Sequence, residues 1–197
     1  MDKKTLLFQG DEITTANYNN MPKESGYVNL IREKMSDYNV LNMAEDGIDT
    51  FVMYSRWDER GMDYLPDVFT VMTGKNDILE TKKLAAGETA RRYIVLINAA
   101  IKEARRINPD IKLIFIEPFM IASNNMTEDE KLMKNEMTLL QKHLESLVKK
   151  YDCGYVKTQE YFELNKETVT KNFFPDEKGQ RFIADMWLRC FADTQRP

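Results

Sequence analysis

Five short apolar segments alternate with helical segments along the chain, and this alternation limits the possible folds more than any other sequence feature. Each apolar segment has the length and the apolar or β-branched content of a buried strand. The predicted strands are residues 5–10, 38–43, 67–73, 111–116 and 154–158. The predicted helices are residues 26–35, 47–57, 86–107, 127–150 and a last helix that contains 182–190. Strands separated by long helices favour a parallel sheet with right-handed crossovers and helices on both faces. We therefore predict an α/β fold, a three-layer α/β/α sandwich with a five-stranded parallel sheet in the order 2-1-3-4-5. The 197 residues are expected to form a single domain, 1–197.

Two of the predicted strands end in polar residues. The first strand is followed by Asp11 and Glu12, and the third is followed closely by Asn76 and Asp77. Ligands of open α/β sheets bind outside the carboxyl ends of the strands, where the winding direction reverses. In the predicted strand order this point lies between the first and third strands. We therefore expect these polar side chains to face one crevice.

The composition argues against several kinds of partner. The net charge is −4, and no cluster of Lys and Arg with interleaved aromatic residues is present, so we expect no nucleic-acid partner. No Cys or His spacing is typical of a structural metal site, and we expect no cofactor. No segment approaches the length of a membrane span, so no membrane partner is expected. The first residues do not have the pattern of a signal peptide, and we expect a cytoplasmic location. The sequence does not indicate the oligomeric state.

Six segments, in order along nearly the whole chain, resemble the sequence blocks of the SGNH/GDSL hydrolases. They are residues 10–14, 26–30, 40–47, 74–77, 116–119 and 174–180. The first block reads Gly-Asp-Glu where the family has Gly-Asp-Ser, and residues 74–77 match its Gly-x-Asn-Asp motif. The resemblance implies a flavodoxin-like SGNH-hydrolase fold and a lipase/acylhydrolase or carbohydrate-esterase activity.

The resemblance also implies which positions carry catalysis in the family. Members use a Ser nucleophile after Gly-Asp, and a late Asp-x-x-His motif supplies the Asp and the His base. Their oxyanion hole consists of the nucleophile's own N–H, a Gly N–H and an Asn side chain. In this chain the three triad positions are Glu12, Lys171 and Phe174, and the oxyanion-hole positions are Ala44 and Asn76.

These substitutions remove the groups that serine-esterase chemistry requires. Acyl transfer by this route needs a hydroxyl nucleophile and a base that takes its proton. Glu12 supplies a carboxylate, and Phe174 has no proton acceptor. We predict a degenerate family member without serine-esterase activity. Two alternatives remain open: a binding or scaffold protein that uses the old cleft for a small ester or carbohydrate-like ligand, and a hydrolase that uses Glu12 as general base with Lys171 as electrophile.

We hypothesise that the Glu12 carboxylate points toward Asn76 and the Ala44 N–H, where a substrate oxyanion would otherwise lie. Lys171 would lie nearby as the counter-charge. A carboxylate that accepts several hydrogen bonds is stabilised in its charged form. The alternative is that Glu12 and Lys171 are two exposed charges in a disused cleft and do not touch.

Other residues that could bind a metal or take part in catalysis have simpler structural interpretations. Several carboxylates near the strand ends could bind Mg²⁺ or Ca²⁺, but roles in caps and turns are favoured. These carboxylates are Asp11, Glu12, Asp46, Asp49 and Asp77. His143 is the only histidine, and we expect it at the edge of the core. The aromatic residues at 51, 54 and 57 are expected to face the core, and one ring of the pair at 173–174 is a candidate cap over the crevice.

Overall fold

The computed structural model describes residues 3–79, 85–121, 125–170 and 173–195. The strands are β1 (Thr5–Gly10), β2 (Asn39–Asn42), β3 (Val68–Met72), β4 (Lys112–Ile116) and β5 (Gly154–Val156). The α-helices are α1 (Glu12–Thr15), α2 (Tyr27–Lys34), α3 (Thr50–Ser55), α4 (Lys75–Leu79), α5 (Glu88–Ile107), α6 (Glu128–Lys150), α7 (Gln159–Leu164) and α8 (Glu177–Thr194). Short 3₁₀ helices lie at Lys23–Ser25, Met62–Tyr64 and Lys166–Thr168. Within the described ranges, no helix is both long and apolar enough to cross a membrane.

The strands form one parallel sheet in the order β2-β1-β3-β4-β5. This confirms the predicted fold class and strand order. Gly10 at the end of β1 lies opposite Met72 at the end of β3. The loops that follow these two strands therefore leave the sheet side by side, at the point where the winding direction reverses.

The sheet separates two apolar cores. On one face, Leu7 and Val71 belong to a cluster with residues of α3, α5 and α6. On the other face, Phe8 belongs to a cluster with residues of α2 and α8. Trp187 of α8 reaches the sheet and donates from Nε1 to Thr70 Oγ1 at 2.8 Å, so its buried N–H is satisfied. Alternate strand residues thus face opposite layers, as the period of a strand requires.

The helix at 127–150 begins and ends as predicted, and the aromatic face of helix α3 differs from the prediction. Thr127 and Glu130 form a capping box at the start of α6. The N-cap of α2 is Gly26, which makes no side-chain hydrogen bond. Phe51 is 58% exposed whereas Trp57 is buried, so the predicted aromatic core face is only partly correct. Helix α3 has only six residues, and Phe51 lies on its outer side.

Candidate active site

The position of Glu12 is set by the close approach of β1 to β3 at Gly10, where β1 ends. A side chain at Gly10 would collide with the Thr14 side chain and the Met72 carbonyl oxygen, so only glycine allows this close approach to β3. Asp11 then caps α1, since its Oδ1 accepts a hydrogen bond from the Ile13 N–H at 3.0 Å. Glu12 is consequently the first residue of α1, at the carboxyl edge of the sheet.

A second turn delivers Lys75 and Asn76 to the same edge. Gly74 follows β3 with a φ of 122°, a conformation that residues with a side chain rarely adopt. The chain then enters α4, whose first two residues are Lys75 and Asn76. Because β1 and β3 are neighbours, these residues lie beside Glu12.

The Glu12 carboxylate has three donors. Its Oε1 forms an ion pair with the Lys75 ammonium. Its Oε2 accepts from Asn76 Nδ2 at 3.0 Å and from the Gly47 N–H at 2.9 Å. Only 13% of the Glu12 side chain and 8% of the Lys75 side chain are exposed, so this is a largely buried ion pair. The Asn76 amide is thus already engaged by the Glu12 carboxylate.

These contacts keep Glu12 ionised. Burial raises the pKa of a carboxyl group, but hydrogen bonds from Lys75, Asn76 and the Gly47 N–H outweigh burial here. The pKa of Glu12 is lowered to about 2 as a result. At neutral pH the pair is therefore an anion and a cation in direct contact.

Phe174 covers the ion pair from the other side. The Lys75 ammonium lies 4.6 Å from the centroid of the Phe174 ring, within the range of a cation–π interaction. The ring also stacks on Tyr18, with centroids 4.3 Å apart. The Tyr18 hydroxyl donates to the Pro175 carbonyl oxygen at 2.8 Å, which fixes the segment that carries Phe174. Segments around positions 12, 75–76 and 174 thus meet at one place.

The hypothesis about the surroundings of Glu12 is correct in one contact and wrong in another. Asn76 donates to Glu12, as hypothesised. The Ala44 N–H donates to Asn42 Oδ1 at 3.2 Å instead, because the Asn42 side chain folds back onto its own loop. The backbone N–H of Gly47, in the same loop, donates to Glu12 Oε2 in its place. Lys171 lies outside the described residues.

The counter-charge that sequence reasoning missed is Lys75. The sequence offered only a partial signal: a lysine stands at the variable position of Gly-x-Asn-Asp, two residues after the apolar segment predicted as the third strand. Lysine is almost never fully buried unless it is paired. A buried Lys next to a buried Glu therefore indicates an ion pair.

The two other acidic residues predicted for the cleft lie beneath it. Asp11 is only 1% exposed, and Asp77 accepts from the Thr50 hydroxyl at 2.9 Å and from the Thr50 N–H at 3.1 Å. Desolvation raises the pKa of Asp77 to about 6 despite these hydrogen bonds. Asp77 thereby joins the start of α4 to the start of α3.

Asp11 lies in an environment that disfavours its charged form. Desolvation, together with the negative charge of Glu12, raises its pKa from 3.8 to about 7, and the opposing effect of Lys75 is smaller. The pKa of Asp11 in the folded protein lies above its value in the unfolded chain. Its contribution to the free energy of unfolding is therefore complete below about pH 4 and is lost as the pH rises to about 7.

Replacing Asp11 with asparagine is therefore expected to stabilise the protein at alkaline pH. Asparagine caps a helix about as well as aspartate, and it carries no charge to desolvate. A rise of the pKa from 3.8 to about 7 corresponds to a gain on the order of 4 kcal/mol or less at pH 8. Urea unfolding at pH 4 and pH 8 measures this, and the two proteins should differ little at pH 4. Equal pH dependence of both proteins would contradict the assignment.

The remaining candidates have structural partners or lie elsewhere. Asp49 caps α3 by accepting from the Val52 N–H at 2.8 Å, and Asp46 accepts from Thr15 Oγ1 and Asn17 Nδ2. No cluster of three or more His, Cys, Asp or Glu side chains suited to a metal ion occurs in the part of the chain that the structure describes. His143 is exposed on α6 and not at the edge of the core.

An open polar groove of about 490 Å³ adjoins this centre. Ala44 and Glu45, in the loop after β2, form part of its wall. The same loop continues to Gly47, whose N–H binds Glu12. One loop, after β2, therefore contributes both to the wall of the groove and to the hydrogen bonds of Glu12.

The comparisons with known proteins agree with this fold. The sequence matches the model of the GDSL-like lipase/acylhydrolase family over residues 8–182. The chain belongs to this family. A search of curated protein sequences found no match.

Solved structures with the same fold include three distant relatives. A protein from Parabacteroides merdae assigned as a GDSL-like lipase is 23% identical, with a TM-score of 0.80 over 96% of this chain and 97% of that one. The α/β hydrolase LAE5 from the metagenome of Lake Arreo is 18% identical, with a TM-score of 0.74 over 98% and 97%. The acetylxylan esterase Axe2 from Geobacillus stearothermophilus is 20% identical, with a TM-score of 0.77 over 96% and 95%.

Proposed function

We propose that this chain is a GDSL-family protein without serine-esterase activity, in which a buried Glu12–Lys75 ion pair has replaced the catalytic centre, and that it acts by binding a small ligand. The observation that carries the proposal is the arrangement of donors around Glu12. Lys75, Asn76 and the Gly47 N–H hold the carboxylate where a substrate oxygen would have to bind.

The residues at the triad positions support the loss of esterase activity. Structures of catalytic mutants of Axe2 carry replacements of an aspartate, a serine or a histidine in that enzyme. The corresponding family positions in this chain hold Lys171, Glu12 and Phe174. A phenyl ring accepts no proton from a nucleophile, and a carboxylate has no hydroxyl to acylate.

The properties of Glu12 argue against hydrolysis with Glu12 as the general base. A general base works best when its pKa lies near the working pH. The pKa of Glu12 is about 2, so the carboxylate is a weak base at neutral pH. Its two oxygens are also engaged by Lys75, Asn76 and Gly47, and little of the side chain is accessible to a substrate.

Two assays test the proposal directly. With p-nitrophenyl acetate, the purified protein is expected to show no burst and no turnover above the buffer rate. A serine-directed phosphonate is expected to leave the intact mass unchanged. Turnover that disappears in Glu12→Ala would overturn the proposal in favour of a carboxylate-dependent enzyme, and a phosphonate adduct would reveal a serine nucleophile recruited from elsewhere.

A further inference from the structure

Asp46 and Gly47 form the single Asp–Gly step of the sequence, and no Asn–Gly step occurs in it. Both residues are exposed, in a turn of the loop that follows β2, and Gly47 has a φ of 73°. A Cβ atom placed on Gly47 would meet no heavy atom within 4 Å, so open space surrounds this part of the backbone. Glycine has no side chain to shield its own nitrogen. The Gly47 nitrogen is therefore a sterically open neighbour of the Asp46 carboxyl group.

An aspartate carboxyl group can react with the backbone nitrogen of the residue that follows it. In this step the Gly47 nitrogen forms a bond to Asp46 Cγ, and the nitrogen's proton leaves with the carboxyl hydroxyl group as water. The product is a cyclic succinimide, which water then opens. Opening at the former backbone carbonyl carbon leaves the main chain running through Cγ, which is isoaspartate. The isoaspartyl chain has the mass of the original chain and one more carbon atom in its backbone.

In the folded protein, hydrogen bonds hold both reacting groups. The Gly47 N–H donates to Glu12 Oε2 at 2.9 Å, so the nitrogen directs its proton toward the ion pair. The Asp46 carboxylate accepts from Thr15 Oγ1 and, at 2.5 Å, from Asn17 Nδ2. Ring closure requires the nitrogen to lose its proton and the carboxyl group to turn toward it. Both movements break these hydrogen bonds.

Glu12 is poorly suited to remove the proton from Gly47. Its pKa of about 2 makes the carboxylate a weak base, and its charge is already paired with the Lys75 ammonium. The hydrogen bond from Gly47 to Glu12 therefore retains the proton on the nitrogen and slows the attack on Asp46.

Isomerisation changes the surroundings of the ion pair. The added backbone carbon atom moves the Gly47 N–H relative to the rest of the loop. Gly47 supplies one of the three donors to the Glu12 carboxylate, beside Lys75 and Asn76. Displacement of Gly47 therefore removes one hydrogen bond from a largely buried anion.

We propose that Asp46–Gly47 is a site of isoaspartate formation that the folded protein suppresses, with Glu12 holding the Gly47 nitrogen and with Thr15 and Asn17 holding the Asp46 carboxylate. Glu12 thus protects the loop to which it is bonded. The inference goes beyond the proposed function, since neither esterase activity nor ligand binding enters it.

The test follows isoaspartate at position 46 while the full chain is incubated at neutral pH in water enriched in ¹⁸O. The tryptic peptide 35–56 contains Asp37, Asp46 and Asp49, so two of the three aspartates are internal references. Endoproteinase Asp-N cleaves before aspartate and not before isoaspartate, and incorporated ¹⁸O marks chains that passed through the succinimide. We expect the folded protein to isomerise about tenfold more slowly than the urea-unfolded chain, the effect of one hydrogen bond to a charged group.

Two variants release the two reacting groups separately. Glu12→Ala combined with Lys75→Met frees the Gly47 N–H without leaving a buried charge, and we expect it to isomerise about tenfold faster than the unchanged protein. Asn17→Ala frees one oxygen of Asp46 and leaves the ion pair in place, and we expect a rate about threefold higher. Circular dichroism establishes that each variant is folded before rates are compared.

Asn135→Ala is the matched control for Asn17→Ala, because Asn135 is exposed on α6, and it should isomerise at the rate of the unchanged protein. Isomerisation of the folded protein as fast as that of the unfolded chain would overturn the inference. So would the lack of isoaspartate at position 46 in the unfolded chain, or equal isomerisation at Asp37 or Asp49. An unchanged rate in the folded double variant, or in Asn17→Ala, would overturn the protective role of the hydrogen bond that the variant removes.

Discussion

Replacing Lys75 with methionine is expected to lower the free energy of unfolding by about 3 kcal/mol at pH 7, because it leaves a largely buried carboxylate without its counter-charge. Glu12→Gln should cost a similar amount, since Lys75 would then be the unpaired charge. The double variant removes both charges, and replacing a buried ion pair by neutral groups is often close to neutral. We therefore expect the double variant to be destabilised by less than either single variant. Urea unfolding of all four proteins measures this coupling.

The pH dependence gives this experiment an internal check. The folded pKa of Glu12, about 2, lies below its usual value of 4.5. The stabilisation by the pair is therefore complete above about pH 4.5 and is lost as the pH falls toward 2. The cost of Lys75→Met should shrink over the same range. Arg91→Met provides a surface control, because Arg91 and Glu88 form a solvent-exposed pair on α5 whose loss is expected to change the stability little. Additive effects of Glu12→Gln and Lys75→Met would show that the pair is not coupled.

Restoring the family triad is expected to create esterase activity only when Lys75 is changed as well. Glu12→Ser alone leaves the Lys75 ammonium buried and unpaired beside the new hydroxyl. We expect the quadruple variant Glu12→Ser, Lys75→Met, Lys171→Asp, Phe174→His to hydrolyse p-nitrophenyl acetate. Its kcat/KM should exceed that of the triple variant that keeps Phe174 by about 100-fold, the usual contribution of a positioned general base.

The triple variant is the matched control for this restoration, because it differs only in the group that takes the proton. Thermal unfolding of both variants establishes that they are folded before rates are compared. The geometry supports the choice of position 174, since its ring lies within 4.6 Å of the Lys75 ammonium, which itself contacts Glu12. Equal rates of the two variants would show that position 174 no longer faces position 12 in a catalytic arrangement.

The fold follows from local sequence patterns. The period of the apolar residues identifies the strands and the long helices, and the βαβ alternation leaves a parallel sheet as the favoured arrangement. The short helices α1, α4 and α7 were not predicted, since four to six residues carry too little periodicity to be read. Predicted boundaries such as the end of β5 at residue 158, observed at Val156, shift because tertiary contacts decide where pairing stops.

The site was only partly predictable, for a different reason. The meeting of Glu12 and Asn76 follows from the strand order, because both residues stand at the ends of neighbouring strands. The roles of Gly47 and Lys75 depend on where a loop returns and which way a long side chain turns. Sequence spacing contains neither quantity. The contact of Lys75 with the Phe174 ring joins residues about a hundred positions apart and is likewise a product of the folded chain.

Glu12 and Lys75 stand in separate segments of the sequence, yet each is tolerated because the other is present. A lineage that reverts either residue alone passes through a protein with a solitary interior charge. Losing about 3 kcal/mol from a typical stability of roughly 5–15 kcal/mol increases the unfolded population roughly a hundredfold. Selection on folding alone therefore opposes the loss of either charged residue by itself, whatever advantage a different side chain at position 12 would bring.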